Sequence, residues 1–192
     1  MNVRTAVMAA FAGASIASSA AANVLIYNVN LDGATENPPN GSPGFGTGTV
    51  TVDTTANTMQ VNFSFSGLLG TTTACHIHAA TATAFTGNAG VATTTPFFAG
   101  FPLGVTAGSY NNTLDMTLTS SYNPSYVTAN GGTTASAEAA LFSAIAAGKA
   151  YLNVHTTVVS GGEIRGFLVL APTPGAFGVA GLGGLALLRR RR

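Results

Sequence analysis

The chain of 192 residues has 7% charged residues, against about 25% in an average soluble protein, and a single cysteine, Cys75. Five of its seven basic residues lie at the ends, at Arg4 and Arg189–Arg192, so the stretch between them has two basic and six acidic residues. This negative balance excludes a basic nucleic-acid-binding surface, and one cysteine excludes an internal disulfide framework.

The amino-terminal residues have the three-part composition of a secretory signal peptide. Residues 1–4 carry one positive charge, residues 5–16 are apolar or small, and residues 17–22 are alanine and serine. A basic start, an apolar centre and small residues before a cleavage point are the features of such a peptide. We therefore assign residues 1–22 to a signal peptide and expect the protein to be exported.

Residues 23–171 are the length of one domain, and their pattern predicts short strands. Residues 23–31 are rich in β-branched and aromatic residues. Apolar and polar residues alternate in the segment that follows the turn at 54–57, which predicts a hairpin. The predicted strands are 23–31, 47–53, 58–66, 74–80, 114–119, 149–158 and 163–170, with loops at 31–46 and 121–130.

One helix is predicted over residues 135–147, where Gly148 provides its carboxyl-terminal stop. Many short strands with a single short helix predict an all-β fold. We expect a single antiparallel Greek-key sandwich or barrel over residues 23–171.

The carboxyl-terminal residues 172–192 form a second tripartite segment. A stretch with prolines precedes an apolar run at 176–188 and four arginines at 189–192. This arrangement resembles the PEP-CTERM tails that exosortases process in bacteria, although Thr173 stands where such tails usually carry glutamate. The resemblance implies sorting machinery as a partner and transient membrane contact through the termini.

All three histidines of the chain fall in two predicted strands, His76 and His78 in one and His155 in another. Because side chains alternate along a strand, His76 and His78 project from the face opposite Cys75 and Ile77. Neighbouring strands lie about 4.8 Å apart, so imidazoles on adjacent strands can converge. We expect the histidines to meet on the solvent side of the sheet, with Cys75 in the core.

Two interpretations of these histidines remain open. Three neutral imidazoles with one open position suit a copper or zinc ion. Alternatively, the histidines belong to a polar cluster with Asn153, Glu163 and Arg165 that fixes the register of the strands. A lone arginine such as Arg165 more often donates structural hydrogen bonds to carbonyls or to a carboxylate than it binds a free anion.

A series of short motifs resembles the CHRD domain, the module named after chordin, over about residues 22–170. The motifs are LDG at 31–33, ENPP at 36–39, CHIH at 75–78, NVHT at 153–156 and GEIRG at 162–166. By analogy of pattern alone, the histidines are also similar to the copper half of the Cu/Zn superoxide dismutase barrel.

The two sorting signals, the low charge and the absence of a hydrolytic or phosphate-binding motif favour an exported CHRD-domain protein that is a structural or binding module, not an enzyme. Its place would be the cell surface, the periplasm or the extracellular matrix, with matrix or polysaccharide as a partner and no nucleic acid. The second hypothesis is a mononuclear copper or zinc protein with superoxide dismutase-like activity.

Overall fold

The computed structural model describes residues 24–172. Its eight strands are antiparallel and join in one sheet that curls into a half-barrel, which confirms the predicted all-β fold. The strands are β1 Val24–Asp32, β2 Phe45–Asp53, β3 Thr58–Ser66, β4 Thr72–Ala79, β5 Gly108–Asp115, β6 Ala150–Thr156, β7 Ile164–Phe167 and β8 Val169–Leu170. The sheet order is β4-β6-β7-β1-β2-β3-β5, with β8 paired to β1.

The helical part differs from the prediction in one place. Helix α2 spans Thr134–Ala146, within one residue of the predicted helix. The predicted loop at 121–130 instead contains helix α1, Pro124–Ala129, just after a 3₁₀ turn at Thr119–Ser121. Asn123 caps α1 by accepting a hydrogen bond from the Ser125 amide, and Pro124 fits the first helical position because no N–H is needed there.

Two strands also differ from the prediction. Strand β5 spans Gly108–Asp115, whereas the sequence pattern predicted a strand at 114–119, so the prediction is wrong at both ends. Its first half is polar and reads as a loop, but it pairs with β3 residue by residue from Phe65 to Thr58. The predicted strand at 163–170 is divided between β7, which pairs with β6, and β8, which pairs with β1.

The register of β4 against β6 positions the histidines. His76 is opposite Asn153, His78 is opposite Tyr151, and His155 is opposite Ala74, one diagonal step from His76. The alternate residues Ile77, Leu152, Val154 and Ile164 are fully buried in the core, as the alternation predicts, and so is Cys75.

The predicted signal peptide and all of the predicted sorting tail except Pro172 lie outside the described residues. Within residues 24–172, no helix is both long enough and apolar enough to cross a membrane.

Candidate metal centre

Three histidine side chains meet on one face of the paired strands β4 and β6. The Nε2 atoms of His76 and His155 are 3.1 Å apart, and the ring centroids of His76 and His78 are 4.6 Å apart. One ring nitrogen of each histidine lies within 4.8 Å of the other two. The predicted convergence of the three imidazoles is therefore confirmed, while their binding of a metal stays a prediction.

The histidines are less exposed than the alternation argument implies. His76 is 6% and His78 is 9% exposed, and only His155 is half-buried. The cause is the segment 89–97, which the sequence analysis did not place and which runs along β4 through bridges at Cys75 and His78. The expected solvent-facing position is therefore wrong for two of the three rings.

Every one of the three rings has its Nδ1 atom against a backbone carbonyl. Carbonyl oxygens only accept hydrogen bonds, so each Nδ1 must be the protonated, donating nitrogen. Fixed tautomers of this kind are the arrangement that orients metal-binding histidines. The acceptors are Pro96 O for His76 at 3.1 Å, Ala89 O for His78 at 2.8 Å and Ser160 O for His155 at 2.8 Å.

The three Nε2 atoms that remain each carry a lone pair and no proton. With neutral rings, the 3.1 Å contact between His76 and His155 places two lone pairs against each other, with no hydrogen to share between them. The buried Nε2 of His78 has no hydrogen-bond partner among the described residues. A cation between the three nitrogens would satisfy all of them.

The surroundings of the rings favour their neutral, metal-binding form. Burial, followed by the charges of the other two histidines, lowers the pKa of His76 to about 3. Burial is also the main cause that lowers the pKa of His78, to about 4, and that lowers the pKa of His155. The rings are therefore neutral near pH 7, as metal ligation requires.

The spacing fits one ion after a small adjustment of the side chains. Nitrogens that bind a tetrahedral zinc ion at about 2.0–2.1 Å are separated by about 3.3 Å. The His76–His155 pair already has this spacing to within about 0.2 Å, and the other separations must close by about 1.5 Å at most.

An aromatic stack joins His78 to the arginine of the same face. The ring of Tyr151 lies parallel to that of His78, with centroids 4.7 Å apart, and the Arg165 guanidinium carbon lies 4.6 Å from the Tyr151 centroid. Tyr151 also hydrogen-bonds to the backbone of Ala89, the residue whose carbonyl holds His78. Tyr151 therefore positions both His78 and its acceptor.

Arg165 has a structural role, because its guanidinium group donates several hydrogen bonds to neighbouring oxygens. It is 3% exposed and donates hydrogen bonds to Thr35 O, Gly87 O and Asn88 Oδ1 at 2.6–3.1 Å. Two of these bonds hold Gly87 and Asn88, the residues just before Ala89. Arg165 therefore supports the backbone that orients His78, and within residues 24–172 it forms no hydrogen bond to a histidine. This arrangement agrees with the structural interpretation of a lone arginine.

A match to a family model identifies the family of the chain. The CHRD domain model matches residues 27–168, a span that includes all three histidines and Arg165. The chain belongs to the CHRD family. No curated protein and no solved structure gave a match to the chain.

Glu163 of the CHRD domain belongs to a separate network. Its carboxylate is fully buried and accepts hydrogen bonds from Ser42, Leu69, Gly70 and Thr156. None of these donors is a histidine, although the sequence analysis grouped Glu163 with them. Burial would raise the pKa of Glu163, but the four hydrogen bonds outweigh it and hold that pKa below its usual value.

Asn153 lies between the histidines and Arg165 in the CHRD sheet, because its backbone is paired with both His76 and Arg165. Its side chain is 3% exposed, and Oδ1 has no hydrogen-bond partner among the described residues. Asn153 is therefore a neighbour of His76 and Arg165 in the sheet, but its side chain forms no hydrogen bond to a histidine in the described part of the chain.

The sequence pattern predicted no role for Glu36 beyond its place in the loop at 31–46. Glu36 is 7% exposed, and one of its oxygens lies 3.7 Å from Arg165 Nε. Burial raises the pKa of this carboxyl to about 7, although the charge of Arg165 opposes the shift. The only signal in the sequence was an acidic residue within the CHRD motif ENPP.

Glu36 should impose a specific dependence of stability on pH. A carboxyl with a raised folded-state pKa favours folding below pH 4.5, and this contribution is lost as the pH rises to about 7. Relative to Glu36→Gln, the wild-type free energy of unfolding should fall by about 1–3 kcal/mol across that window. Urea titrations at several pH values test this, and parallel curves for the two proteins would contradict it.

Proposed function

We propose that this CHRD protein is an exported module that binds one copper or zinc ion through His76, His78 and His155. The CHRD family supports a structural or binding role for the domain. The observation that carries the metal proposal is the orientation of the rings. All three Nδ1 atoms are engaged by carbonyls, so each ring keeps an unprotonated Nε2, in a cluster where one ring nitrogen of each histidine lies within 4.8 Å of the other two.

Export and retention at the cell surface are supported by the composition of the two ends. A signal-peptide pattern opens the chain, and an apolar run with four arginines closes it. The low charge of the domain also suits an extracellular setting. Fractionation of bacteria that produce the chain tests this part: we expect the envelope or medium to contain it, and a soluble cytosolic protein with both ends uncut would contradict it.

Metal uptake is tested with the full chain, purified in mild detergent and without a histidine tag. We expect one equivalent of copper or zinc per chain by elemental analysis after dialysis. His78→Ala should reduce the bound metal to background, because two imidazoles with one vacant ligand position bind much more weakly. Uptake that is equal in the wild type and the His78→Ala variant would contradict the site.

Dismutase-like activity ranks below a structural or binding role. A half-buried His155 leaves one side of the site open to a small molecule. However, guidance of an anion would need a free cationic group, and the Arg165 guanidinium is held by three backbone or side-chain oxygens. An assay of the copper-loaded chain tests this second candidate; turnover no faster than that of the His78→Ala variant would exclude it.

A further inference from the structure

We infer that the three-histidine site is selective for Cu(I) over Zn(II). The inference rests on the proposed metal-binding function and adds the charge and coordination of the ion. It follows from three features: ligands without charge, surroundings that supply no anion, and a set of three nitrogens that Cu(I) accepts without a fourth ligand.

The first feature is the charge of the ligand group. In residues 24–172, the only group of histidine, cysteine or acidic side chains with metal-binding spacing consists of the three histidines, with no carboxylate or thiolate. Neutral ligands leave the whole charge of the ion uncompensated. The cost of burying an ion rises with the square of its charge, so a divalent ion costs about four times as much as a monovalent one.

No nearby anionic group among the described residues is placed to compensate the charge of a bound ion. The Glu163 carboxylate is used by four donors, two of them backbone amides at Leu69 and Gly70. Glu36 faces Arg165. The thiol of Cys75 is fully buried on the opposite, core-facing side of β4.

The nearest cationic group works against a divalent ion. Arg165 lies over Tyr151, which in turn stacks on His78, so a fixed positive charge is two ring contacts from the site. Its repulsion doubles when the charge of the ion doubles. Both electrostatic effects therefore favour Cu(I).

Coordination geometry points the same way. Zinc in proteins is almost always four-coordinate, so Zn(II) at three histidines needs a water or hydroxide as its fourth ligand. Copper(I) accepts three nitrogen ligands alone. His76 and His78 are enclosed by the segment 89–97, and His155 is the only ring of the three with substantial exposure.

The test compares two metal ions on the full chain purified without a histidine tag. Cu(I) is measured under anaerobic, reducing conditions against the chromophoric chelator bathocuproine disulfonate, and Zn(II) against a chromophoric zinc indicator. We expect the Kd for Cu(I) to be smaller than that for Zn(II) by roughly 100-fold or more. A Zn(II) Kd equal to or smaller than the Cu(I) Kd would overturn the inference while leaving the metal site in place.

Two variants complete the design. His155→Ala should weaken Cu(I) binding by roughly 100-fold, because it removes one of the three ligands. The fold should survive the change, because His155 is only half-buried. Cys75→Ser should keep wild-type Cu(I) affinity, and a large loss there would show that a thiolate binds the ion and would overturn the argument from neutral ligands. If wild type binds neither ion, the proposed function fails and this inference fails with it.

Discussion

Replacement of Glu163 by alanine is expected to lower the free energy of unfolding by about 3–5 kcal/mol. The fully buried carboxylate accepts four hydrogen bonds of 2.5–3.2 Å, from Ser42, Leu69, Gly70 and Thr156. Alanine would leave two backbone amides and two hydroxyls without their acceptor, and two of these donors, the Gly70 amide and the Thr156 hydroxyl, are buried. Because the folded-state pKa of Glu163 is lowered, this contribution is present above pH 4.5 and is lost as the pH falls further.

Two further variants make the Glu163 prediction specific. Glu163→Gln keeps the shape and one acceptor oxygen, so we expect a smaller loss, about half that of the alanine variant. Glu138→Ala is the matched control, since this half-buried helix residue makes no hydrogen bond through its side chain in the described part of the chain. Urea unfolding followed by circular dichroism measures all three. A Glu163→Ala loss below about 1 kcal/mol would contradict the network.

Removal of His155 is expected to abolish stabilisation by metal while changing the metal-free protein little. An ion that binds only the folded state adds about 2.7 kcal/mol when its free concentration is 100 times Kd. Without metal, His155→Ala loses one hydrogen bond to Ser160 but also relieves the contact between two lone pairs. We therefore expect metal-free stability within about 1 kcal/mol of wild type.

The polar-cluster interpretation predicts the opposite pattern for the same variant. Thermal unfolding of the wild type would not respond to Cu(I) or Zn(II). The His155→Ala change would lower the stability of the metal-free protein by about 1–3 kcal/mol, because buried neighbours would lose a partner. Unfolding curves of both proteins with and without metal therefore separate the two interpretations.

The sequence predicted the convergence of the histidines because it depends on a local rule. Alternation along a strand places His76 and His78 on one face whatever the rest of the fold does. The same rule correctly assigned Ile77, Leu152 and Cys75 to the core. The adjacency of β4 and β6, on which the site also depends, was a condition of that prediction, and the structure shows that the two strands pair.

Features that depend on distant contacts were not predictable in this way. The polar first half of β5 is a strand because β3 supplies its hydrogen-bond partners. The carbonyls that orient His76 and His78 come from the segment 89–97, whose sequence AGVATTTPF carries no sign of that role. The carboxylate of Glu163 accepts hydrogen bonds from residues 42, 69, 70 and 156. The first three are far from Glu163 in the sequence, and Thr156 is one of many threonines that no pattern distinguishes.

The X-ray absorption spectrum of the metal-loaded full chain tests the central claim most directly, because it reports the atoms bound to the ion. The account predicts three nitrogen ligands at about 2.0–2.1 Å, with the outer-shell scattering of three imidazole rings. A sulfur ligand near 2.3 Å would contradict it, as would a first shell of oxygens without imidazole scattering.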